Sequence, residues 1–325
     1  MYPLTVIDRP VLTVVSPFYN EAEVLPAFCL ELRRVLDGMG IQYEVILVDD
    51  GSVDGSFGVA VDQNWPQCLV VRLNSNAGHQ AALEAGLTQS TGQFVVTMDA
   101  DLQHPPSVVP ELLAEALETG ADVVYAVRGD RSEEGAFKRS TALWYYRTVR
   151  ALTGVPVIDH AADFRVMSRF VVDIVNQVRE TKVYRLLLPS LGFSFATVTY
   201  TASPRASGVS KYTFQRMAAL AVRSSVQFSP HPLRIVALIG LATSAIAVLW
   251  LCFVVISFFS GSALIGWPSL MSVVLVLGGI TLFSLGVIGE YIGEIYEMVK
   301  GRPHFIIRSV VRPDSGASTV DESST

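Results

Sequence analysis

The chain has 325 residues, 50% of them hydrophobic, and a formal net charge of -6. That length supports one or two domains with substantial cores, and the negative balance excludes a general nucleic-acid binder, which needs a basic face. Three scattered cysteines, Cys29, Cys68 and Cys252, lack metal-ligand spacing and read as free, mostly buried thiols of a reducing compartment.

Residues 1 to about 200 alternate short β-branched runs with longer helix-like stretches, the pattern of an α/β domain with a mainly parallel sheet. Strands are predicted near Leu12–Ser16, Val45–Val48, Leu69–Leu73, Phe94–Met98 and Val123–Ala126. Ligands of such sheets collect outside the carboxyl ends of the strands, and the polar residues of this chain cluster there.

The first strand exits into Pro17-Phe18-Tyr19-Asn20-Glu21, where Tyr19 can stack on a base and a helix starting at once would turn its amino terminus to an anion. The second exits into Asp49-Asp50-Gly51-Ser52. One acid there can accept from a base or a ribose while Gly51 lets the ligand approach; an Asx turn with a helix cap explains the same residues. After the third strand comes Asn74 to Gln80, in which His79 alone reads as a structural or surface residue.

The fourth strand carries the most informative pattern, an apolar run ending in Asp99-Ala100-Asp101-Leu102-Gln103-His104-Pro105-Pro106. Alternate residues of an extended chain point the same way, so Asp99, Asp101 and Gln103 can present oxygens to one point. Hard oxygen ligands suit Mg²⁺ or Mn²⁺, which also take substrate phosphates and water. Capping of the helix expected near Pro106 is the plainer reading. Neither Gly-x-Gly-x-x-Gly nor a Walker-type loop with its lysine follows the first strand, so dinucleotide enzymes and P-loop NTPases lose their main support.

Late in the chain Ile235–Phe259 and Pro268–Gly289 carry no charge, and each is long enough to cross a bilayer as a helix. Lys211, Arg216, Arg223 and Arg234 precede the pair and Lys300, Arg302, Arg308 and Arg312 follow it, which places both long ends in the cytoplasm. Gly279, Gly286, Gly289 and Gly293 form a small-residue stripe suited to close helix packing and self-association. Between the α/β domain and these runs, Lys211 to Phe228 is amphipathic. Phe214, Met217, Leu220 and Ala221 can rest in the membrane interface while Lys211, Arg216 and Arg223 meet headgroups; a soluble helix packed on the sheet is the alternative. The expected organisation is a catalytic domain over 1–210, a juxtamembrane helix over 211–232, two membrane helices over 233–298 and a cytoplasmic tail over 299–325 whose end is disordered.

Pro17-x-Tyr19-Asn20-Glu21, Asp49-Asp50-Gly51-Ser52, Asn76-x-Gly78-His79 and Asp99-Ala100-Asp101-Leu102-Gln103-x-Pro105-Pro106, in that order, resemble the family 2 glycosyltransferases of GT-A fold. Within them the chain is most similar to the polyprenyl-phosphate glycosyltransferases, the group of dolichol-phosphate mannose synthase and the bactoprenol glucosyltransferases. The resemblance covers nearly all of residues 10 to 305. It implies that Pro17, Tyr19, Glu21, Val48 and Asp50 hold the nucleoside, that Ala100 lines the donor site, and that Asp99, Asp101 and Gln103 hold Mg²⁺ or Mn²⁺. Arg128, Arg139, Arg205 and Lys211 match phosphate-binding positions.

Ala162-Asp163-Phe164-Arg165-Val166-Met167 resembles the family's Gly-Asp-Phe-Arg-Leu-Met motif, with Ala162 in place of glycine, and makes Asp163 the acid nearest the acceptor. An Asp capping a helix that starts near Ser168 is the competing reading. Arg205 to Lys211 resembles Arg-x-x-Gly-x-Ser-Lys, where two cations close over a diphosphate. The chain has Ser190-Leu191 where the family often has a tryptophan before Gly192-Phe193, which bears on the sugar pocket.

The implied activity is transfer of a sugar, glucose from a UDP-sugar first, to a polyprenyl phosphate, with inversion to a β-linked product, Asp101 and Asp163 acting at the reacting centre. The implied setting is the cell membrane, multi-pass, with the active site and both termini cytoplasmic and membrane lipids as neighbours. GDP-mannose as donor, a processive polysaccharide synthase and a non-catalytic membrane scaffold are the alternatives. The chain lacks the Gln-x-x-Arg-Trp motif that such synthases carry.

Overall fold

The computed structural model describes residues 10–129, 161–178, 183–201, 231–260 and 267–313. At its centre is β1 (Leu12–Phe18), buried at every position. A strand covered on both faces needs an unbroken apolar run rather than an alternating one, and Leu12-Thr13-Val14-Val15 supplies its start. It pairs in parallel with β2 (Tyr43–Asp49) on one side and β4 (Phe94–Thr97) on the other, and β2 pairs in parallel with β3 (Cys68–Leu73).

The eight-stranded sheet has the order β7-β5-β6-β4-β1-β2-β3-β8. β5 (Val123–Arg128) and β7 (Phe195–Tyr200) are parallel to each other, while β6 (Ala161–Ser168) runs antiparallel between β4 and β5. β8 (Ile307–Val311) closes the far edge antiparallel to β3. The five expected strands are present. β6, β7 and β8 are additional, and β8 lies in the stretch expected to be a plain tail.

Helices cover both faces. α1 (Leu25–Gly38) buries Leu25, Phe28, Cys29, Leu32 and Leu36, the spacing of one helical stripe. With α4 (Val109–Thr119), entered through a 3₁₀ turn at Pro106–Val108, it joins Leu12, Val14, Phe18 and Phe164 in one apolar cluster. α2 (Ser56–Val61) connects β2 to β3. On the opposite face α3 (His79–Gln89) lies against Val15 and Val48, close enough that a Cβ on Gly86 would meet Val15 Cγ1 at 2.3 Å. α5 (Arg169–Gln177) starts where the Ser168 hydroxyl accepts from the Val171 N–H at 3.5 Å, and α6 (Tyr184–Ser190) follows. The capping residue there is Ser168; Asp163 lies well inside β6.

A second unit contains α7 (His231–Phe259) and α8 (Trp267–Lys300). Among the described residues one stretch, Val276–Gly293 in α8, is long and apolar enough to cross a membrane; the apolar stretch of α7, Val236–Trp250, is shorter. A Cβ on Gly279, Gly286, Gly289 or Gly293 would meet nothing within 4 Å, so the small-residue stripe faces open space in the single chain. Cys29 and Cys68 are buried as expected, whereas Cys252 on α7 is exposed.

Candidate active site

The parallel strands deliver their carboxyl ends to one edge of the sheet, Phe18 level with Asp49 and Val15 with Thr97. A cleft of about 210 Å³ opens there, lined by Pro17, Phe18, Tyr19, Glu21, Asp50, His79, Asp99, Ala100 and Asp101. Four of these are carboxylates, and among the described residues that line it there is no lysine or arginine.

The helix after β1 does not begin at once. Asn20 takes a left-handed backbone (φ 54°), and the N–H groups of Asn20, Glu21 and Ala22 donate to Ser52 Oγ, Ser56 Oγ and Asp54 Oδ2 at 3.0, 2.9 and 3.3 Å. Those donors are engaged by side chains of the β2–α2 loop, and α1 starts only at Leu25. The expected anion-facing helix terminus is therefore absent at this loop. Glu21 remains at the cleft, its carboxyl pushed up by burial and by Asp101, Asp54 and Asp99.

Asp49 and Asp50 divide their tasks. Asp49 is fully buried, caps the turn by accepting from the Ser52 N–H at 2.8 Å, and pairs with Arg72 Nε at 3.3 Å. Asp50 turns to the β3–α3 loop and accepts from the N–H groups of Ala77 and Gly78 at 2.7 and 3.1 Å, which fixes its orientation at the cleft. Burial raises its pKa, and those two N–H donors oppose the rise. Gly51 has φ 73°, and a Cβ there would lie 2.6 Å from Ser75 C and 2.7 Å from Asn76 N. The close approach it permits is that of the 75–76 backbone.

After β4 the chain turns through Asp99, Ala100 and Asp101, and Leu102 adopts φ 60°, a costly left-handed conformation for a residue with a side chain. Asp101 Oδ1 accepts from the Gln103 N–H at 3.0 Å. The Asp99 N–H donates to His104 Nδ1 at 3.0 Å, and the buried His104 ring stacks on Phe164 with centroids 5.1 Å apart. Burial raises the Asp99 carboxyl, with His104 and His79 opposing and Asp163 and Asp101 adding to the rise.

Asp163 arrives from β6. Its Oδ1 is paired with the Arg165 guanidinium, and its Oδ2 accepts from Gln80 Nε2 at 3.3 Å. His79 stands between the two acidic elements, its Nε2 3.4 Å from Asp99 Oδ1 and 3.6 Å from Asp163 Oδ2. Burial disfavours a charged His79, yet Asp163 and Asp99 outweigh it and raise its pKa. For Asp163 the burial penalty is overcome by Arg165 and His79, which hold the carboxyl far below the usual carboxylate range.

Of the expected residues, Pro17, Tyr19, Glu21, Asp50, Asp99, Ala100 and Asp101 come together around the cleft. Val48 is fully buried in β2 and faces α3, so its side chain does not line it. Gln103 and Arg128 are also outside the lining, Arg128 exposed at the end of β5. Arg139, Arg205 and Lys211, with the amphipathic stretch from 211 to 228, fall outside the described residues. Sequence reasoning passed over His79 as a site residue. Its place immediately after Gly78, opening the helix that follows a parallel strand, is the signal that marks it. Among the described residues no three His, Cys, Asp or Glu side chains form a ready metal cage. Asp99 and Asp101 are two hard oxygen donors in a cleft of surplus negative charge, a set that fits a dication completing its shell with substrate oxygens and water.

Residues 13–174 match the profile of glycosyl transferase family 2, and residues 231–295 match the GtrB C-terminal hairpin. The chain is 35% identical over 301 residues to the SfII prophage-derived bactoprenol glucosyl transferase of Shigella flexneri, covering 91% of this chain and 97% of that one. It is likewise 35% identical over 300 residues to the uncharacterized glycosyltransferase YkcC of Bacillus subtilis, covering 91% and 93%. Glucosyl-3-phosphoglycerate synthase from Mycobacterium tuberculosis, solved with Mn²⁺, UDP and phosphoglyceric acid, shares the fold at a TM-score of 0.51 and 20% identity, over 67% of this chain and 76% of that one. A mainly parallel GT-A sheet, an acid-lined cleft at its strand ends and full-length similarity to such enzymes together make this chain a glycosyltransferase, a member of glycosyl transferase family 2 that carries the GtrB C-terminal hairpin.

Proposed function

We propose that the enzyme moves a hexosyl group, glucose from UDP-glucose, onto the phosphate of a membrane polyprenol. The observation that carries this reading is the cleft itself, where Glu21, Asp50, Asp99 and Asp101 meet at the strand ends and His79 links Asp99 to Asp163. The bactoprenol glucosyl transferase relative supports the choice of glucose and of a polyprenyl acceptor.

In this reading Tyr19, with Pro17 and Glu21, takes the base, and Asp50 accepts from the nucleoside with the lone pairs that Ala77 and Gly78 leave free. Ala100 leaves room for the donor. Asp99 and Asp101 would hold Mg²⁺ or Mn²⁺, which when bound would stabilise negative charge on the departing nucleoside diphosphate. Arg128, Arg139, Arg205 and Lys211 supply cationic partners for the phosphates.

The acceptor is a phosphate monoester whose second pKa is about 6, so at neutral pH its oxygen is largely an anionic nucleophile. It attacks the anomeric carbon as the bond to the diphosphate breaks on the opposite face, which inverts the centre to a β-linked glycosyl phosphoprenol and requires no proton removal. Asp163, kept ionised by Arg165, is a weak base and suits orienting the acceptor or stabilising positive charge at the anomeric carbon.

The polyprenol stays in the membrane, and so does the enzyme. α7 and α8 cross as a hairpin with residues 261–266 outside, and the catalytic domain and both termini lie in the cytoplasm. The hairpin match, the apolar stretch Val276–Gly293 and the basic flanks support this topology.

The test is transfer of radiolabelled sugar from UDP-glucose to undecaprenyl phosphate, with Mg²⁺ or Mn²⁺ and with chelator. Chelation abolishes lipid-soluble product, and Asp99→Ala together with Asp101→Ala lowers it by roughly 100-fold or more. A normal rate in that double variant overturns the reading. Transfer from GDP-mannose in place of UDP-glucose reassigns the sugar, and polymer in place of glycolipid reassigns the reaction.

A further inference from the structure

The segment that follows α8 comes back to the catalytic sheet and touches the β3–α3 loop at Asn74 and the following helix α3 at Glu84. β8 pairs with β3 from Val70↔Val311 to Leu73↔Ile307, with a register shift at Arg72/Leu73. Just beyond that shift the Ile306 carbonyl accepts from the Asn74 N–H at 2.8 Å. Ten sequence positions further, inside α3, Glu84 Oε2 lies 3.0 Å from His304 Nδ1, with Glu84 largely buried. Residues 75–83 lie between these two anchors. They include Ala77 and Gly78, whose N–H groups orient Asp50, and His79 in the cleft.

There is little slack in this loop. The backbone of Ser75 and Asn76 already sits where a Cβ on Gly51 would be, so a shift of the loop displaces the Asp49-Asp50-Gly51 turn or breaks its bonds to Asp50. We propose that residues 304–311 are a positioning strap: their hold on Asn74 and Glu84 sets the Ala77 and Gly78 amides against Asp50 and thereby sets affinity for the nucleotide donor. The donor assignment rests on the function proposed above. Because Pro303 follows Arg302 directly, the strap is also the covalent path by which the helical hairpin rejoins the catalytic sheet.

The full-length enzyme is compared with His304→Ala, His304→Asn and Asp50→Ala. The readouts are KM for UDP-glucose, KM for undecaprenyl phosphate, kcat, and amide hydrogen exchange over residues 74–84. His304→Ala raises the donor KM by roughly ten-fold, the effect of one hydrogen bond to a charged partner, and speeds exchange across the loop. Acceptor KM and kcat change by less than donor KM does, since the strap itself touches neither reacting group and the amides nearest its Asn74 anchor are those that orient Asp50. His304→Asn restores donor KM and exchange because its amide nitrogen takes the place of Nδ1.

Unchanged exchange in His304→Ala overturns the strap whatever the kinetics. Faster exchange with an unchanged donor KM overturns it as well, provided Asp50→Ala raises that KM. If Asp50→Ala leaves the donor KM unchanged, the donor assignment is what has failed, and exchange alone decides whether the strap orders the loop.

Discussion

At the scale of single residues, Arg165 decides what Asp163 can do. Its side chain is 1% exposed, pairs with Asp163, and lies 5.7 Å over the Tyr125 ring, while its Nε and one terminal nitrogen have no hydrogen-bond partner among the described atoms. The positive charge of the guanidinium beside the carboxylate outweighs the cost of burial and keeps Asp163 ionised. Arg165→Met leaves the buried Asp163 with His79, Gln80 and the charge of Arg185 but without its direct ion pair, and the expected loss is about 3–5 kcal/mol of stability at neutral pH, measured by thermal or denaturant unfolding. The sign of the pH dependence follows from the depressed pKa: this contribution is present above the ordinary carboxylate range and is lost as pH falls below it, so wild type and variant converge in acid. Asp99 and Asp101 are legible in sequence because a buried strand that ends in acids has few purposes. The Gln80–Asp163 bond joins residues 83 positions apart, and neither local pattern announces the other.

At the scale of elements, the sequence conceals the strands whose place is set by their neighbours and the fit of the loops between strands. The β-branched runs predict β1 to β5 to within a few residues, because each is long enough to bury. β6 reverses direction between two parallel neighbours, a placement set by pairing with β4 and β5 and not by its own composition. β8 is five residues with Arg308 and Ser309 inside it, too short and too polar to stand out from a tail. Gly51 shows how tightly the loops fit. Gly51→Ala places a methyl into the Ser75–Asn76 backbone at a left-handed position, and the expected cost is about 1–3 kcal/mol of stability together with a raised donor KM, read by unfolding and by steady-state kinetics.

At the scale of the whole molecule, the α/β unit buries a continuous apolar core and exposes scattered residues such as Leu30 and Phe170, while α7 and α8 expose many, among them Leu249, Phe253, Leu282 and Phe283. Of the two helices, α8 contains the stretch Val276–Gly293 that is long and apolar enough to cross a membrane. The proposed topology is checked in a Cys252→Ser background by single cysteines at Ser262 in the link and Ser318 in the tail. In intact cells a membrane-impermeant maleimide labels the first and spares the second until the membrane is opened; equal labelling of both in intact cells contradicts a hairpin with cytoplasmic ends.

The position of β8 in the chain also orders the birth of the enzyme. A ribosome makes β1 through β7 first, then the hairpin, and only afterwards the strand that covers the edge of β3. Until residues 307–311 emerge, β3 has a bare row of backbone donors and acceptors, the kind of edge that recruits foreign strands. The nascent catalytic domain is therefore vulnerable for as long as α7 and α8 take to be made, and a chain halted before its last strand leaves an aggregation-prone fragment.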